Sequence, residues 1–321
     1  MQTLIDFDGA PVFAIPGTAD TGAAAVREGM LIEGPQGWGE FSPAPDASPA
    51  VLARWLTAAV EAGTVGWPDP MRGRIPVAVR VPAVGAAEAH RLVTDSGCRT
   101  ADVVVGYGPP ADDVARVQAV RDALGPSGSI RCDANGQWGI DDAVAAIDTL
   151  ERAAGGLQYI EQPCATTEEL AAVRRRIGVP VAVDEALRNA PDPSALDLTD
   201  VADIAVLSFG PMGGVRRALR IAEAIGLPCV VTSTGETSVG LAGGVALAGV
   251  LPELPFACGL GTRGLLTGDV VAQARWLVPV DGRLPVAPMP PGPDADLLRR
   301  FALADSDRVA WWRQRLRGAL H

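Results

Sequence analysis

Three acidic residues stand at the ends of three successive apolar segments. Asp133 lies in RCDAN, Glu161 in YIEQP and Asp184 in AVDEA, at intervals of 28 and 23 residues, about one strand–helix unit each. Carboxylates that converge on one point repel each other unless a cation neutralises them, and Mg²⁺ and Mn²⁺ prefer such hard oxygen ligands. We therefore predict a divalent-metal site. The alternative, isolated acids that cap helices or face solvent, is disfavoured by their occurrence on three successive strands.

The segments around these acids predict a parallel barrel. From about residue 75 the chain alternates short apolar runs with helical patterns, as parallel β/α units do. The predicted strands cover residues 75–84, 100–106, 129–135, 157–163, 179–186, 203–210, 227–234 and 256–261. No GxGxxG or GxxxxGK[ST] motif follows a strand, so eight repeats favour a closed barrel over a doubly wound sheet. The carboxyl ends of barrel strands face one mouth, where the three acids would meet.

The predicted fold is α/β, a modified TIM (β/α)₈ barrel with an α+β capping domain. Residues 75–270 form the predicted barrel. Residues 1–74 hold strand-like pieces and a helical stretch over 49–62, and we assign them to the N-terminal part of the cap. Residues 271–321 are Pro-rich and then helical over 297–316. We expect this last segment to return to the cap.

Composition excludes several classes of function. The 321-residue chain has a net charge of −11 and no basic block, which disfavours binding to nucleic acids or anionic membranes. No stretch reaches about 18 uninterrupted apolar residues, so we expect no membrane span. The N-terminus lacks a basic region and an apolar run, so we expect no secretory signal and a cytoplasmic location. The expected partner is a small molecule, and the oligomeric state stays open.

Cysteine and histidine usage narrows the chemistry further. The five cysteines are scattered, odd in number and without a CxxC pair, which predicts buried free thiols in a reducing compartment. The two histidines are His90 and the terminal His321. A histidine metal site or a Ser–His–Asp triad is therefore disfavoured.

The chain contains no lysine, and all 27 of its basic residues are arginine. Genomic bias toward arginine explains this without any functional cause. The chemical consequence is the same in either case. No amine side chain is present to act as a general base or to form a Schiff base, and arginine is practically never deprotonated.

The motifs around the acids resemble a known family. RCDANGQW, YIEQPCAT and AVDEALR resemble the three metal-ligand strands of the enolase superfamily. The segments VREGMLIEG, GWGEFSP, GPMGGV, ETSVGLAGGVALAG and LPELPFACGLGT are similar to those of the actinobacterial o-succinylbenzoate synthases. The resemblance spans about residues 26–280.

The resemblance implies an α+β cap on a modified TIM barrel, with Mg²⁺ held by Asp133, Glu161 and Asp184. It also implies dehydration of a cyclohexadiene carboxylate to o-succinylbenzoate in menaquinone synthesis. Relatives racemise N-acylamino acids. Such chemistry begins with removal of a weakly acidic proton next to a carboxylate, while the metal stabilises the enediolate.

The resemblance also assigns residues around the metal. Thr232, Ser233 and Gly259 match positions where the family holds substrate carboxylates. Arg27 lies in a segment that resembles the substrate-covering loop of the cap. The small residues over 18–25 differ from that loop, which predicts a different substrate.

Two further residues are expected to orient the metal ligands. Gln162 follows Glu161 directly in YIEQP. Glu236 follows the seventh strand. Both are assigned as second-layer groups that hydrogen-bond the ligands.

The chain departs from the family at the proton-transfer positions. The family ends its second strand with a K-x-K pair, where this chain has Asp102, Val103 and Val104. The lysine that ends the sixth strand is replaced by Ser208. Residues 102 and 104 share one face of their strand and are expected to point into the barrel. Loss of a general base typically lowers a rate by about 10²–10⁴-fold.

The replacement Asp102 has several interpretations. It could be a fourth metal ligand, a new base, or a charge that raises neighbouring pKa values. The plain alternative is that it points away or pairs with an arginine. Tyr107 and His90 are further candidates for acid–base work, although His90 lies on a predicted helix.

Three hypotheses about function follow. The first is a repurposed Mg²⁺-dependent (or Mn²⁺-dependent) enzyme that performs a cyclisation, isomerisation or elimination on a small carboxylate or carbonyl metabolite. The second is o-succinylbenzoate synthesis with a replaced base. The third is a non-catalytic binding protein, which retention of all three acids disfavours because unused clustered acids destabilise a fold.

Overall fold

The N-terminal part of the protein is an antiparallel sheet covered by one helix. The computed structural model describes residues 5–18 and 26–320. Strands β1 (Val12–Pro16), β2 (Val26–Gly34) and β3 (Gly37–Phe41) pair in that order. Helix α1 (Pro49–Thr64) follows, and the Ser48 side chain caps its first turn by accepting a hydrogen bond from a backbone N–H. Most of the small-residue segment over 18–25 lies outside the described residues.

Eight parallel strands follow and close into a barrel. They are β4 (Arg74–Val81), β5 (Thr100–Val104), β6 (Ser129–Asp133), β7 (Ile160–Glu161), β8 (Val181–Val183), β9 (Ile204–Ser208), β10 (Cys229–Thr232) and β11 (Cys258–Gly261). Each pairs with the next in chain order, and β11 pairs with β4. The predicted fold class is therefore confirmed.

Helices connect the strands on the outside. They are α2 (Ala86–Ser96), α3 (Pro110–Leu124), α4 (Ile140–Ala154), α5 (Thr167–Arg174), α6 (Glu185–Arg188), α7 (Phe209–Met212), α8 (Val215–Ile225) and α9 (Ser238–Val250). The residues that face the barrel from these helices are buried with the outward side chains of the strands in one apolar core. The lower interior of the barrel is filled by a second cluster that includes Tyr159, Val206 and Val230.

Several strands are shorter than the sequence pattern predicts. β7 ends at Glu161 because Gln162 adopts a left-handed backbone conformation, with φ of 40°, which an extended strand does not allow. β8 ends at Val183 because Asp184 already precedes the first turn of α6. The predicted strands took in the residues of the following turns, so the sequence pattern overestimated their length.

The C-terminal segment adds one strand to the barrel and ends in two helices. Strand β12 (Arg283–Pro285) pairs antiparallel with the start of β4. The single helix predicted over 297–316 is instead two, α10 (Ala295–Arg300) and α11 (Ser306–Gly318), because Asp305 caps a new N-terminus.

Helix α11 completes the core of the N-terminal sheet. Trp312 and Leu316 are 1% exposed and belong to the same apolar cluster as Met30 and Phe41. The exact limits of the capping domain stay a prediction. Within the part of the chain that the structure describes, no helix is long and apolar enough to cross a membrane.

Candidate active site

A cavity of about 590 Å³ lies over the carboxyl ends of the barrel strands. The three predicted ligands line its floor. The cap closes over it with residues 44–48 and with Trp55 of α1. Barrel and cap together therefore enclose a space of the size that small-molecule sites use.

The three acids are buried and lie at adjacent strand ends. Asp133, Glu161 and Asp184 are 3%, 2% and 3% exposed. Asp133 and Glu161 are register partners on β6 and β7. The tertiary structure thus brings the three carboxylates to one cavity, as their spacing predicts.

Arginine side chains hold two of these carboxylates. Arg80 Nη2 donates to Asp133 Oδ2 at 2.6 Å, and the backbone N–H of Asn135 donates to Asp133 Oδ1 at 3.0 Å. Arg188 Nη1 donates to Asp184 Oδ2 at 2.8 Å. Asp184 Oδ1 is buried and has no hydrogen-bond partner among the described residues.

Asp102 is the centre of a row of charges across three strands. Arg80, Asp102 and Arg131 are successive register partners on β4, β5 and β6. Asp102 Oδ2 lies 3.0 Å from Arg80 Nη1 and 3.6 Å from Arg131 Nη2. Asp102 was interpreted as a metal ligand, a base, a charge that raises neighbouring pKa values, or a partner of arginine. The observed distances match the last of these, pairing with arginine.

The acids near Arg188 titrate above their usual range. Burial raises the pKa of Asp184 to about 6, although Arg188 opposes the shift. Burial and the Asp184 charge raise the pKa of Glu185 to about 8. Glu185 is held by Arg188 Nη2 at 2.5 Å.

Glu161 lies buried among other carboxylates. Its pKa is raised well above the usual value, first by burial and then by the carboxylates of Asp133, Asp102 and Asp184. Burial lowers the pKa of Arg80, but Asp102, Asp133 and Glu161 together raise it well above the ordinary value. Arg80 therefore stays a cation.

Formal charges at and directly below the cavity floor do not balance when every group is ionised. Five carboxylates (Asp102, Asp133, Glu161, Asp184 and Glu185) then face three guanidinium groups (Arg80, Arg131 and Arg188). The excess of two negative charges fits a divalent cation, and without a cation the raised pKa values of Glu161 and Glu185 favour protonation of these two acids instead.

The arrangement of the side chains suits a divalent cation less well than the charge balance does. In the described residues no three Asp, Glu, His or Cys side chains are arranged to hold one metal ion. The physical reason is that two predicted ligands are already paired. Arg80 binds one oxygen of Asp133, and Arg188 binds one oxygen of Asp184.

The side chains at the predicted lysine positions of the family do not reach the cavity. Asp102 is 1% exposed, Ser208 is wholly buried, and neither lines the cavity, nor does Val104. The Ser208 hydroxyl has no hydrogen-bond partner in the part of the chain described. As they stand, none of these three side chains is placed to exchange a proton with a molecule in the cavity, whereas a longer side chain at position 104 or 208 would extend toward it.

The predicted substrate-binding residues of the barrel lie opposite the acids. Thr232, Ser233 and Gly259 line the cavity. A Cβ atom at position 259 would lie 2.5 Å from Thr232 Oγ1, which is too close. Only glycine therefore fits at this point of the cavity wall. Ser233 Oγ accepts a hydrogen bond from Thr262 Oγ1 at 3.0 Å.

Glu236 holds this loop. Its carboxylate accepts hydrogen bonds from the Ser233 hydroxyl, and from the Thr234 N–H at 2.9 Å and hydroxyl at 2.7 Å. Among the described residues its hydrogen bonds go to its own loop, as the short spacing favours. Its role in orienting a metal ligand stays a prediction.

Gln162 does contact the chain at a predicted ligand. Its Oε1 accepts the backbone N–H of Asp184 at 2.9 Å and that of Ala186 at 3.2 Å. Its Nε2 donates to the Cys164 carbonyl at 2.8 Å. Gln162 therefore fixes the end of β8 relative to β7.

Arg27 lines the cavity from the cap, but its head group is engaged. Its Nη2 donates to the Ser42 carbonyl at 2.8 Å and hydroxyl at 2.7 Å. The Ser42 hydroxyl donates to Glu40 Oε1 at 2.6 Å. The Thr237 hydroxyl donates to Glu40 Oε2, which joins the cap to the start of α9.

Sequence reasoning missed the arginines around the acids. Arg80 interrupts the apolar run VAVRV, and Arg131 lies two residues before Asp133 on the same strand face. Arg188 lies four residues after Asp184, which is the spacing of ion pairs along a helix. This ion pair could therefore have been predicted from the sequence. Arg54 of α1, also missed, donates to the backbone carbonyl of Arg188 at 2.7 Å.

The two remaining acid–base candidates lie outside the cavity lining. Tyr107 is 55% exposed, and burial of its ring together with the Asp133 and Glu185 charges raises its pKa. His90 is exposed on α2.

Comparison with known proteins places the chain in a family. Two protein-family models match it, "Enolase N-terminal domain-like" over residues 12–63 and "Enolase C-terminal domain-like" over residues 85–293. An o-succinylbenzoate synthase of Thermobifida fusca is 52% identical over 301 residues, covering 93% of this chain and 92% of that relative. The chain belongs to the o-succinylbenzoate synthase family. A family member named o-succinylbenzoate synthase from Mycolicibacterium smegmatis is 46% identical, covering 95% and 93%.

Solved structures of the superfamily share the fold. The L-Ala-D/L-Glu epimerase of Bacillus subtilis aligns with a TM-score of 0.75 at 22% identity, over 90% of this chain and 98% of that one. The muconate lactonizing enzyme of Pseudomonas putida aligns with a TM-score of 0.74 at 21% identity, over 93% and 99%. These likenesses support the enolase-superfamily architecture of barrel and cap.

Proposed function

We propose that this member of the family is a metal-dependent enzyme that acts on a small carboxylate or carbonyl metabolite without proton transfer by lysine. The reaction class is a cyclisation, isomerisation or elimination that needs little acid–base help from the protein. The proposal rests on one observation. The three carboxylates line the cavity, whereas Asp102 and Ser208 are buried and do not line it.

The donor set supports Mg²⁺ or Mn²⁺. Glu161 and the unpartnered Oδ1 of Asp184 would supply oxygen ligands, and Asp133 would share its carboxylate with Arg80. The excess of two negative charges at the cavity floor supports the same assignment. When bound, such an ion acts as a Lewis acid that polarises a carboxylate or carbonyl of the substrate.

The protein side chains would bind and orient the substrate. The Thr232 hydroxyl and the open backbone at Gly259 face the acids across the cavity. Ser233 is fixed by Glu236, and Arg27 by Ser42, so both are preorganised. Trp55 and the segment over 44–48 would exclude water from above.

The family supplies a second candidate, o-succinylbenzoate synthesis. The identity of 52% and 46% to proteins of that name, over more than nine-tenths of both chains, favours it. It requires a base other than lysine. Asp102 is poorly suited to that role because Arg80 and Arg131 hold its carboxylate outside the cavity.

The two candidates are separated by one assay. The purified protein with Mg²⁺ is given the cyclohexadiene carboxylate that the family dehydrates, beside a Val104→Lys/Ser208→Lys double variant. A Val104→Met/Ser208→Met variant controls for side-chain bulk. We expect an inert wild type, turnover by the lysine variant and none by the methionine variant.

Other outcomes would change the assignment. Turnover by the wild type at an enzyme-like rate would establish the second candidate and refute the first. If no variant turned over and the wild type took up no Mg²⁺ in calorimetry, the metal-enzyme proposal would fail. The non-catalytic binding protein would then be the better description.

A further inference from the structure

Arg80 places a fixed positive charge against the predicted metal ligands. Its guanidinium bridges two carboxylates, Asp102 at 3.0 Å and Asp133 at 2.6 Å. Its side chain is 20% exposed and lines the cavity. One carboxylate oxygen of Asp133, a predicted metal ligand, is therefore engaged by a cation of the protein.

Asp102 fixes this cation in place. It is 1% exposed and lies on the strand next to Arg80, as its register partner. Arg131, itself 1% exposed, faces Asp102 from the other side and donates to the carbonyl of Ala257 at 2.6 Å. Asp102, held from its far side by Arg131, restrains Arg80 from swinging away from Asp133.

From this arrangement we infer that Arg80 is a tethered counter-cation that competes with a divalent metal ion for Asp133 and weakens metal binding by this site. Asp102 acts as its positioning residue. The inference rests on the proposed function, because it assumes that the carboxylates bind a metal ion.

Electrostatics sets the direction of the effect. With every carboxylate ionised, removal of the Arg80 charge raises the excess of negative charge around the cavity floor from two to three. It also frees Asp133 Oδ2 and removes the repulsion between the guanidinium and a bound cation. These three changes all strengthen the attraction for a metal cation.

The test is a Mn²⁺ titration of the full chain, followed by electron paramagnetic resonance of the free ion. The proteins are wild type, Arg80→Gln and Arg74→Gln. Arg74 lies on the same strand at its exposed end and loses the same charge. We expect Arg80→Gln to bind Mn²⁺ about ten-fold or more tightly than wild type, and Arg74→Gln to match wild type.

Three outcomes would overturn the inference. If wild type binds Mn²⁺ and Arg80→Gln binds it equally or more weakly, the inference fails while the proposed function stands. Equal tightening in Arg74→Gln would show a general charge effect and also refute it. If none of the proteins binds Mn²⁺ while all melt cooperatively, the inference and the proposed function fall together.

A second variant keeps the test decisive if Arg80→Gln does not fold. Arg80→Lys retains the charge but loses the planar fork that bridges two carboxylates at once. Its Mn²⁺ affinity is expected to exceed that of wild type by a few-fold. Affinity equal to or below that of wild type would refute the inference.

Discussion

Gln162 shows how one buried side chain connects two strand ends. It accepts two backbone N–H groups beyond β8 and donates to one carbonyl, and it is wholly buried. Each of these groups would be left without a partner if the amide were removed. Buried groups without partners cost about 1–3 kcal/mol each.

We therefore expect Gln162→Met to lower the free energy of unfolding by at least about 3 kcal/mol. It should also weaken Mn²⁺ binding by about 10–100-fold, since the backbone at Asp184 loses its support. Gln158→Met is the matched control. The buried Gln158 Oε1 has no partner in the described chain, so its replacement should leave the free energy of unfolding unchanged or raise it.

Chemical denaturation of both variants measures this difference. An equal loss of stability in the two would show that the Gln162 hydrogen bonds contribute nothing specific. Unchanged Mn²⁺ affinity in Gln162→Met would separate its structural role from any role at the site.

At the scale of elements, the start of α9 joins the cap to the barrel. The Glu40 carboxylate of β3 accepts the backbone N–H groups of Thr237 and Gly240, each at 3.1 Å. On the other side, Asp269 accepts the Ser238 hydroxyl at 2.6 Å. The helix N-terminus is therefore held by one acid from the cap and one from the segment after the barrel.

Glu40 makes this junction sensitive to pH. Burial raises its pKa from 4.5 to about 7, although Arg27 and hydrogen bonds from Ser42 and Thr237 oppose the shift. The folded state thus binds this proton more tightly than the unfolded chain. The stability contribution is full below about pH 4.5 and is lost as the pH rises through about 7, on the order of 3 kcal/mol.

In EDTA, we expect the melting temperature of wild type to fall as the pH rises from about 5 to about 8, and that of Glu40→Gln to fall less. Glu33→Gln, at an exposed glutamate on the neighbouring strand β2, is the control and should follow wild type. Parallel curves for wild type and Glu40→Gln would contradict this account of the junction.

At the scale of the molecule, the two ends of the chain share one apolar core. Trp312 of α11 packs edge-on against Phe41 of β3 at 6.2 Å between ring centroids. Its indole N–H donates to Glu28 of β2 at 2.8 Å. The C-terminal helix thus stabilises the cap, which in turn covers the cavity.

Trp312→Ala is expected to lower the free energy of unfolding by about 3–5 kcal/mol, because it empties a fully packed site. Trp311→Ala changes the adjacent half-buried residue, whose ring stacks on Arg308, and should cost about 1 kcal/mol. Urea denaturation measures both. Similar losses for the two would show that α11 does not complete the core of the cap.

Much of the architecture could be predicted from local pattern. Alternating apolar runs and helical faces gave eight strand–helix units, and strand-end acids at unit spacing gave Asp133, Glu161 and Asp184 at one cavity. These features depend on periodicity within short windows, which the sequence carries directly.

The pairing of charges depended on the tertiary structure. Arg80 and Asp133 are 53 residues apart, and only the register of β4, β5 and β6 brings them together around Asp102. The left-handed backbone at Gln162, which ends β7, is likewise set by contacts with the neighbouring strand. The sequence by itself determined the barrel and the acids at its mouth. Which arginine each acid faces depends on the closed barrel. Strand register brings these side chains together, and register depends on the packing of the whole sheet.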